Sequence, residues 1–181
     1  MMNPFALAMS ENILQRQKNI LLERLSYISS ISDAPFKADY MLNVDAVAHG
    51  HDGKSYNVQF KHRKEGNDDF ILIADKLTGV TVANNPIGFT YGGVKYTFNL
   101  GAADIFVETL GNGSTHILTR EEINSLEFDP SLNLISAIKG IQPKYVTRDD
   151  GSKFPTGRYY VFIDSAKLQQ LKNNILSKTL P

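Results

Sequence analysis

DYMLNVDAVAHGHDGKSYNVQFK, residues 39–61, is the stretch on which the fold turns. Tyr40, Leu42, Val44, Ala46 and Ala48 stand in alternation, and Tyr56, Val58 and Phe60 repeat the alternation after a break. Period two places every second side chain on one face of an extended chain, so residues 39–49 and 55–61 are predicted strands. Between them lies Gly50-His51-Asp52-Gly53, whose Asp-Gly pair signals a hairpin because glycine accepts the positive φ of a tight turn.

On the N-terminal side, Ile13, Leu14, Gln17, Ile20, Leu21, Leu22, Leu25 and Ile28 recur at helical spacing. Ser10 suits an N-cap with Glu11 in the first turn, and Ser32-Asp33-Ala34-Pro35 stops a helix. On the C-terminal side, the charged segment from His62 to Asp69 leads to Phe70-Ile71-Leu72-Ile73-Ala74, an apolar run read as a buried strand. Further strands are expected at Val80–Val82, at residues 92–98 and at residues 104–110, followed by a turn at Gly111-Asn112-Gly113. Thr119 with Glu122 forms a capping box ahead of a short helix. Ile135 to Ile141 gives a strand, Thr147 to Gly157 a polar loop, and residues 158–163 another strand. Asp164 or Ser165 caps a last helix with Leu168, Leu171 and Ile175 on one face.

The 181 residues are 42% hydrophobic, enough for one cored domain. With no repeat or linker, the expectation is a single domain over residues 1–181, α/β or α+β, with a mixed central sheet flanked by helices. Residues 10–75 would be its core, and residues 76–181 a β-rich elaboration. Nineteen basic side chains balance nineteen acidic ones, so no global field draws the chain to phosphate and any nucleic-acid affinity must be local. No cysteine is present, which excludes disulfides, thiolate zinc sites and cysteine nucleophiles. No apolar run reaches membrane-spanning length, and the first residues lack the basic region of a secretory signal, so no membrane partner and a cytoplasmic location are expected.

Asp45 on the first strand, with Gln59 and Lys61 on the second, brings a carboxylate, an amide oxygen and an ammonium toward one sheet edge. Mg²⁺, or Mn²⁺ in its place, takes oxygen ligands from one or two carboxylates plus water and phosphate, which Asp45 and the Gln59 carbonyl can supply. Lys61 would orient or help deprotonate the water, or hold the phosphate. The bland alternative is a cross-strand ion pair of Asp45 with Lys61. Asp39 shares the strand face of Asp45 and competes with it for the metal role.

At Asp45 and at Val58-Gln59-Phe60-Lys61, with the basic run His62-Arg63-Lys64 after it, the chain resembles the PD-(D/E)xK nuclease superfamily. Gln59 replaces the usual acid, a Q-x-K variant similar to the Mrr-like restriction endonuclease branch. The resemblance covers about residues 10–75. It implies a restriction-endonuclease-like fold, Mg²⁺-dependent hydrolysis of DNA, or of RNA by the same chemistry, and a metal site completed by a glutamate of the first helix. Glu23 is the first candidate by position and Glu11 the second. An inactive relative kept as a nucleic-acid- or protein-binding module is the alternative, and a homodimer would let two sites cut two strands.

His62, Arg63 and Lys64 beside the motif, and Arg148 and Lys153 in the loop at 147–158, are candidate nucleic-acid contacts. His49 and His51 lie at the hairpin tip without partners for a zinc site. Gly111-Asn112-Gly113-Ser114 lacks the lysine and following helix of a phosphate loop.

Overall fold

The computed structural model describes residues 4–34, 44–77, 88–128 and 134–179. In chain order these give α1 (Pro4–Arg24), β1 (Ile28–Asp33), β2 (Ala46–Gly50), β3 (Ser55–His62), β4 (Asp69–Lys76), β5 (Gly88–Tyr91) and β6 (Val94–Phe98). Then follow β7 (Ile105–Thr109), β8 (Thr115–Thr119), α2 (Arg120–Phe128), a 3-10 turn (Leu134–Ala137), β9 (Ile138–Thr147), β10 (Lys153–Asp164) and α3 (Ser165–Thr179). The architecture is mixed α and β, with the strands in two five-stranded sheets where the residue pattern implies one. Two compact units result, Met1–Asp68 with Gly101–Ile123 and Asp69–Leu100 with Asn124–Pro181. β4, counted in the expected 10–75 core, belongs to the second unit. No helix among the described residues is long and apolar enough to cross a membrane.

In the first unit the sheet order is β1-β2-β3-β7-β8, with β3 and β7 parallel and every other neighbouring pair antiparallel. α1 packs on one face through Leu21, which is buried with Ile28, Ala46, Ala48, Val58, Ile105, Val107 and Ile117. The helix begins well before Ser10, the expected cap. Pro4 suits a first helical position, and residues 5–9 are rich in strong helix formers. It also stops sooner than the apolar spacing suggests. Ile28 fits both a helical stripe and a buried strand position, while Ser29, Ser30 and Ser32 are weak helix formers, and pairing with β2 decides for the strand. Gln17, the polar member of the stripe, is buried and donates from Nε2 to the Lys61 carbonyl (2.8 Å) and to Thr109 Oγ1 (3.1 Å). Those two bonds pin the helix to the ends of β3 and β7.

β8 was concealed in sequence by the capping box that follows it. The box itself forms as expected: Glu122 N–H donates to Thr119 Oγ1 (3.1 Å), and Thr119 N–H to Glu122 Oε1 (3.0 Å).

The second unit is an antiparallel sheet in the order β5-β6-β4-β10-β9, with α3 against β10. Asp164 caps α3 by accepting the Lys167 N–H at 2.8 Å. Gly92 and Gly93, with φ of 59° and 80°, turn residues 88–98 into a hairpin where a single strand was expected over 92–98. The expected polar loop from Thr147 to Gly157 shrinks to a turn, since residues 153–157 continue β10. The strand expected at Val80–Val82 lies outside the described residues.

Three hairpins close on one five-residue pattern: Gly50 to Lys54, Leu110 to Ser114 and Arg148 to Ser152. In each, the first N–H reaches the fifth carbonyl (2.8, 2.8 and 2.7 Å) and the fourth N–H reaches the first carbonyl (3.1, 2.9 and 2.9 Å). The Asp or Asn at the third place accepts the fifth N–H on Oδ1 at 2.9 Å in all three. The fourth place is glycine, with φ of 84°, 88° and 85°.

Candidate metal and phosphate site

The hairpin β2–β3 positions the motif, and its register departs from regularity at Asp45. Gly50 bonds Lys54, so the alternate pairs Ala48 with Tyr56 and Ala46 with Val58 are also hydrogen-bonding pairs, and the next would be Val44 with Phe60. The ladder slips there instead. Asp45 N–H donates to the Val58 carbonyl at 2.9 Å, and Phe60 N–H donates to Asp45 Oδ2 at 2.8 Å. A bulge therefore turns Asp45 so that its carboxylate takes the place of a main-chain acceptor. The acid is held on the backbone of the residue between Gln59 and Lys61.

Beside it is a cleft of about 310 Å³. Ile13, Leu14 and Gln17 of α1 form one wall, and Asp45, Phe60, His62 and Lys61, whose carbonyl accepts from Gln17, form the other. Both walls belong to the first unit.

Val58 and Phe60 belong to the face packed on α1, so alternation sends Gln59 and Lys61 to the opposite face. Across that face the register pairs Gln59 with Phe106 and Lys61 with Glu108, and Glu108 in turn with His116. Glu108 is only 1% exposed. A buried carboxylate one strand away from Lys61 is the acid that reading the motif alone missed. Its signal was present in Ile105-Phe106-Val107-Glu108-Thr109-Leu110, because a charged side chain in the middle of an apolar strand must be compensated.

The other candidates lie elsewhere. Glu23 and Glu11 are exposed on α1, on the far side of the sheet from the Gln59 side chain, and are not brought to it. Asp39 lies outside the described residues. His62 and Lys64 are exposed, whereas Arg63 is half-buried and its N–H bonds the Thr109 carbonyl at 2.8 Å. Arg148 and Lys153 are exposed at the tip of β9–β10 in the second unit. His49 Nε2 meets Ser32 Oγ at 2.8 Å, and His51 is exposed at the turn. Gly111-Asn112-Gly113-Ser114 is the β7–β8 turn, and a side chain on Gly111 would run into the Lys64 carbonyl. Tyr27 packs edge-on to Tyr56 at 5.4 Å. Burial, then the neighbouring Tyr56, Glu122 and Glu121, hold its phenol above the ordinary range, so it stays neutral at physiological pH.

Among the described residues, no three His, Asp or Glu side chains converge as a metal cage. Mg²⁺ does not need one, since it keeps several waters and substrate phosphate beside one or two protein oxygens. Of the two expected metal donors, Asp45 lines the α1-side cleft and Gln59 does not. No protein-family model, curated protein or solved structure matches the chain.

Proposed function

We propose that the chain is a divalent-metal-dependent endonuclease with a restriction-endonuclease-like core of the PD-(D/E)xK type, hydrolysing phosphodiester bonds in DNA. The observation that carries this reading is the 2.8 Å bond from Phe60 N–H to Asp45 Oδ2, which fixes a carboxylate at the centre of Gln59-Phe60-Lys61. Asp45 and the Gln59 amide oxygen would hold Mg²⁺ or Mn²⁺, which when bound neutralises charge at phosphorus and acidifies water. Lys61, with three N–H donors, holds a non-bridging phosphate oxygen and orients the attacking water. The water oxygen bonds to phosphorus while the ester P–O bond breaks, and the leaving oxygen takes up a proton. Glu108 stands opposite Lys61 in the parallel register and places a buried carboxylate on the same face of the sheet.

A second reading is favoured by Gln59, which removes one negative charge from the metal position. On that reading the chain is a nuclease-derived module that binds nucleic acid without cutting it. Incubation of supercoiled plasmid, single-stranded DNA and RNA with Mg²⁺, Mn²⁺ or EDTA separates the two. The nuclease reading expects cleavage of a DNA substrate that EDTA and Lys61→Ala abolish. Retained DNA binding without cleavage under any metal assigns the module instead.

A further inference from the structure

Beyond the residues that pair with β4, the β9–β10 hairpin continues as a two-stranded ribbon. Among the described residues, β4 pairs with β10 from Arg158 onward, and residues 153–157 have β9 as their one strand neighbour. Within the ribbon Thr147 faces Lys153, Val146 faces Phe154 and Tyr145 faces Pro155, after which the register shifts. Alternation then gives each side an aromatic and a cation: Lys144, Val146, Arg148 and Phe154 on one, Tyr145 and Lys153 on the other. Tyr145, Val146 and Phe154 are 54%, 40% and 37% exposed, an unusual concentration of large apolar side chains in water.

Charge is concentrated here as well, in a chain whose net charge is zero. Lys144, Arg148 and Lys153 stand against Asp149 and Asp150, and among the described residues no ion pair joins these three cations to a carboxylate; Arg158, at the base of the ribbon, faces Asp75 of β4 in the register. Two of the three instead lie over aromatic rings, Arg148 over Phe154 at 4.5 Å and Lys144 over Tyr160 at 5.7 Å. Asp150 is tied into the turn by the Ser152 hydroxyl and N–H, which hold its carboxyl below the ordinary range. The stacked guanidinium and the closed turn keep the tip pre-formed.

We infer that this ribbon is a binding arm for duplex DNA, with phosphates met by Lys144, Arg148 and Lys153, and sugars and base edges by Tyr145 and Phe154. A two-stranded ribbon matches the width of the major groove, and cations on both of its sides match the two phosphate rails. The inference deepens the nuclease reading by naming the polymer form engaged, yet it concerns binding and is measurable without cleavage.

The test is fluorescence anisotropy of the full chain with a short labelled duplex, and with its single strand, in EDTA over a series of KCl concentrations. The double variant Arg148→Ala/Lys153→Ala is expected to bind duplex about tenfold or more weakly. Its slope of log affinity against log salt should flatten by about two, near 0.9 per lost phosphate contact. Asp149→Lys, on the exposed turn, should tighten binding and steepen the slope, a gain that misfolding cannot produce. The arm is overturned if wild type does not bind duplex, if neither substitution moves affinity or slope, or if only single-strand binding changes. A chain that binds duplex through the arm and never cuts would sink the nuclease reading and leave the arm standing. A chain that cuts with arm variants binding as wild type would do the reverse.

Discussion

The β2–β3 and β9–β10 hairpins turn on the same five-residue pattern and use their side chains in opposite ways. In β2–β3 one face is covered by α1, Val58 is fully buried, and the acid Asp45 is committed to a backbone N–H. At the tip of β9–β10, among the described residues, no further strand of its sheet pairs with the two, and Val146, directly across from Phe154, is 40% exposed. The first hairpin can therefore hold a few groups rigidly beside a small cleft. The second presents many groups to a large partner. Rigid placement suits chemistry, and exposed cations with aromatics suit reversible contact along a polymer.

The sharpest way to break this contrast is at Asp45, where the charge and the hydrogen bond can be separated. Asp45→Asn keeps an oxygen for the Phe60 N–H and loses the negative charge, so the thermal midpoint should stay close to wild type while plasmid cleavage falls by about 100-fold or more. Asp45→Ala loses both. It should be as inactive and also less stable by about 1–3 kcal/mol, the cost of a partly buried N–H left without its acceptor. Equal cleavage by Asp45→Asn and wild type would reduce Asp45 to a bulge-forming residue with no chemical part.

A smaller effect separates the hairpins by packing. Val58→Ala removes methyl groups from the core beneath α1 and should cost about 1–3 kcal/mol in urea unfolding. Val146→Ala, on the exposed ribbon, should stay within about 0.5 kcal/mol. A large loss at Val146 would mean that the ribbon tip is covered and is no open arm.

The same contrast explains what could be read from sequence. Alternation at 55–61, the Asp-Gly turn, the Thr119–Glu122 box and the Asp164 cap are local signals, each decided by neighbours within a few residues, and they reappear in the structure. The misreadings are long-range. Ile28 joined a strand because β2 was there to pair with it, and β4 joined the second sheet although it follows β3 in sequence. The bulge at Asp45 depends on how Phe60 finds an acceptor, and Glu108 enters only through a parallel pairing between residues 58–62 and 105–109. No window along the chain contains that pairing. Residues 153–157 fall within the polar loop expected from Thr147 to Gly157, yet the turn ahead of them carries the same Asp-Gly signature as the first hairpin.

That shared turn yields the smallest prediction and the cleanest control. Gly53, Gly113 and Gly151 each hold a left-handed φ, and a Cβ at any of the three would meet no atom within 4 Å. Replacement by alanine therefore introduces backbone strain and almost nothing else, at about 1 kcal/mol per site. If turn geometry is a local property, Gly53→Ala, Gly113→Ala and Gly151→Ala should lower unfolding free energy by nearly equal amounts, despite the burial that separates their hairpins. A cost at Gly151 well below that at Gly53 would mean that the ribbon tip opens before the rest of the fold. The arm would then order its turn only on meeting DNA, and the Gly151→Ala defect would move from stability into duplex affinity.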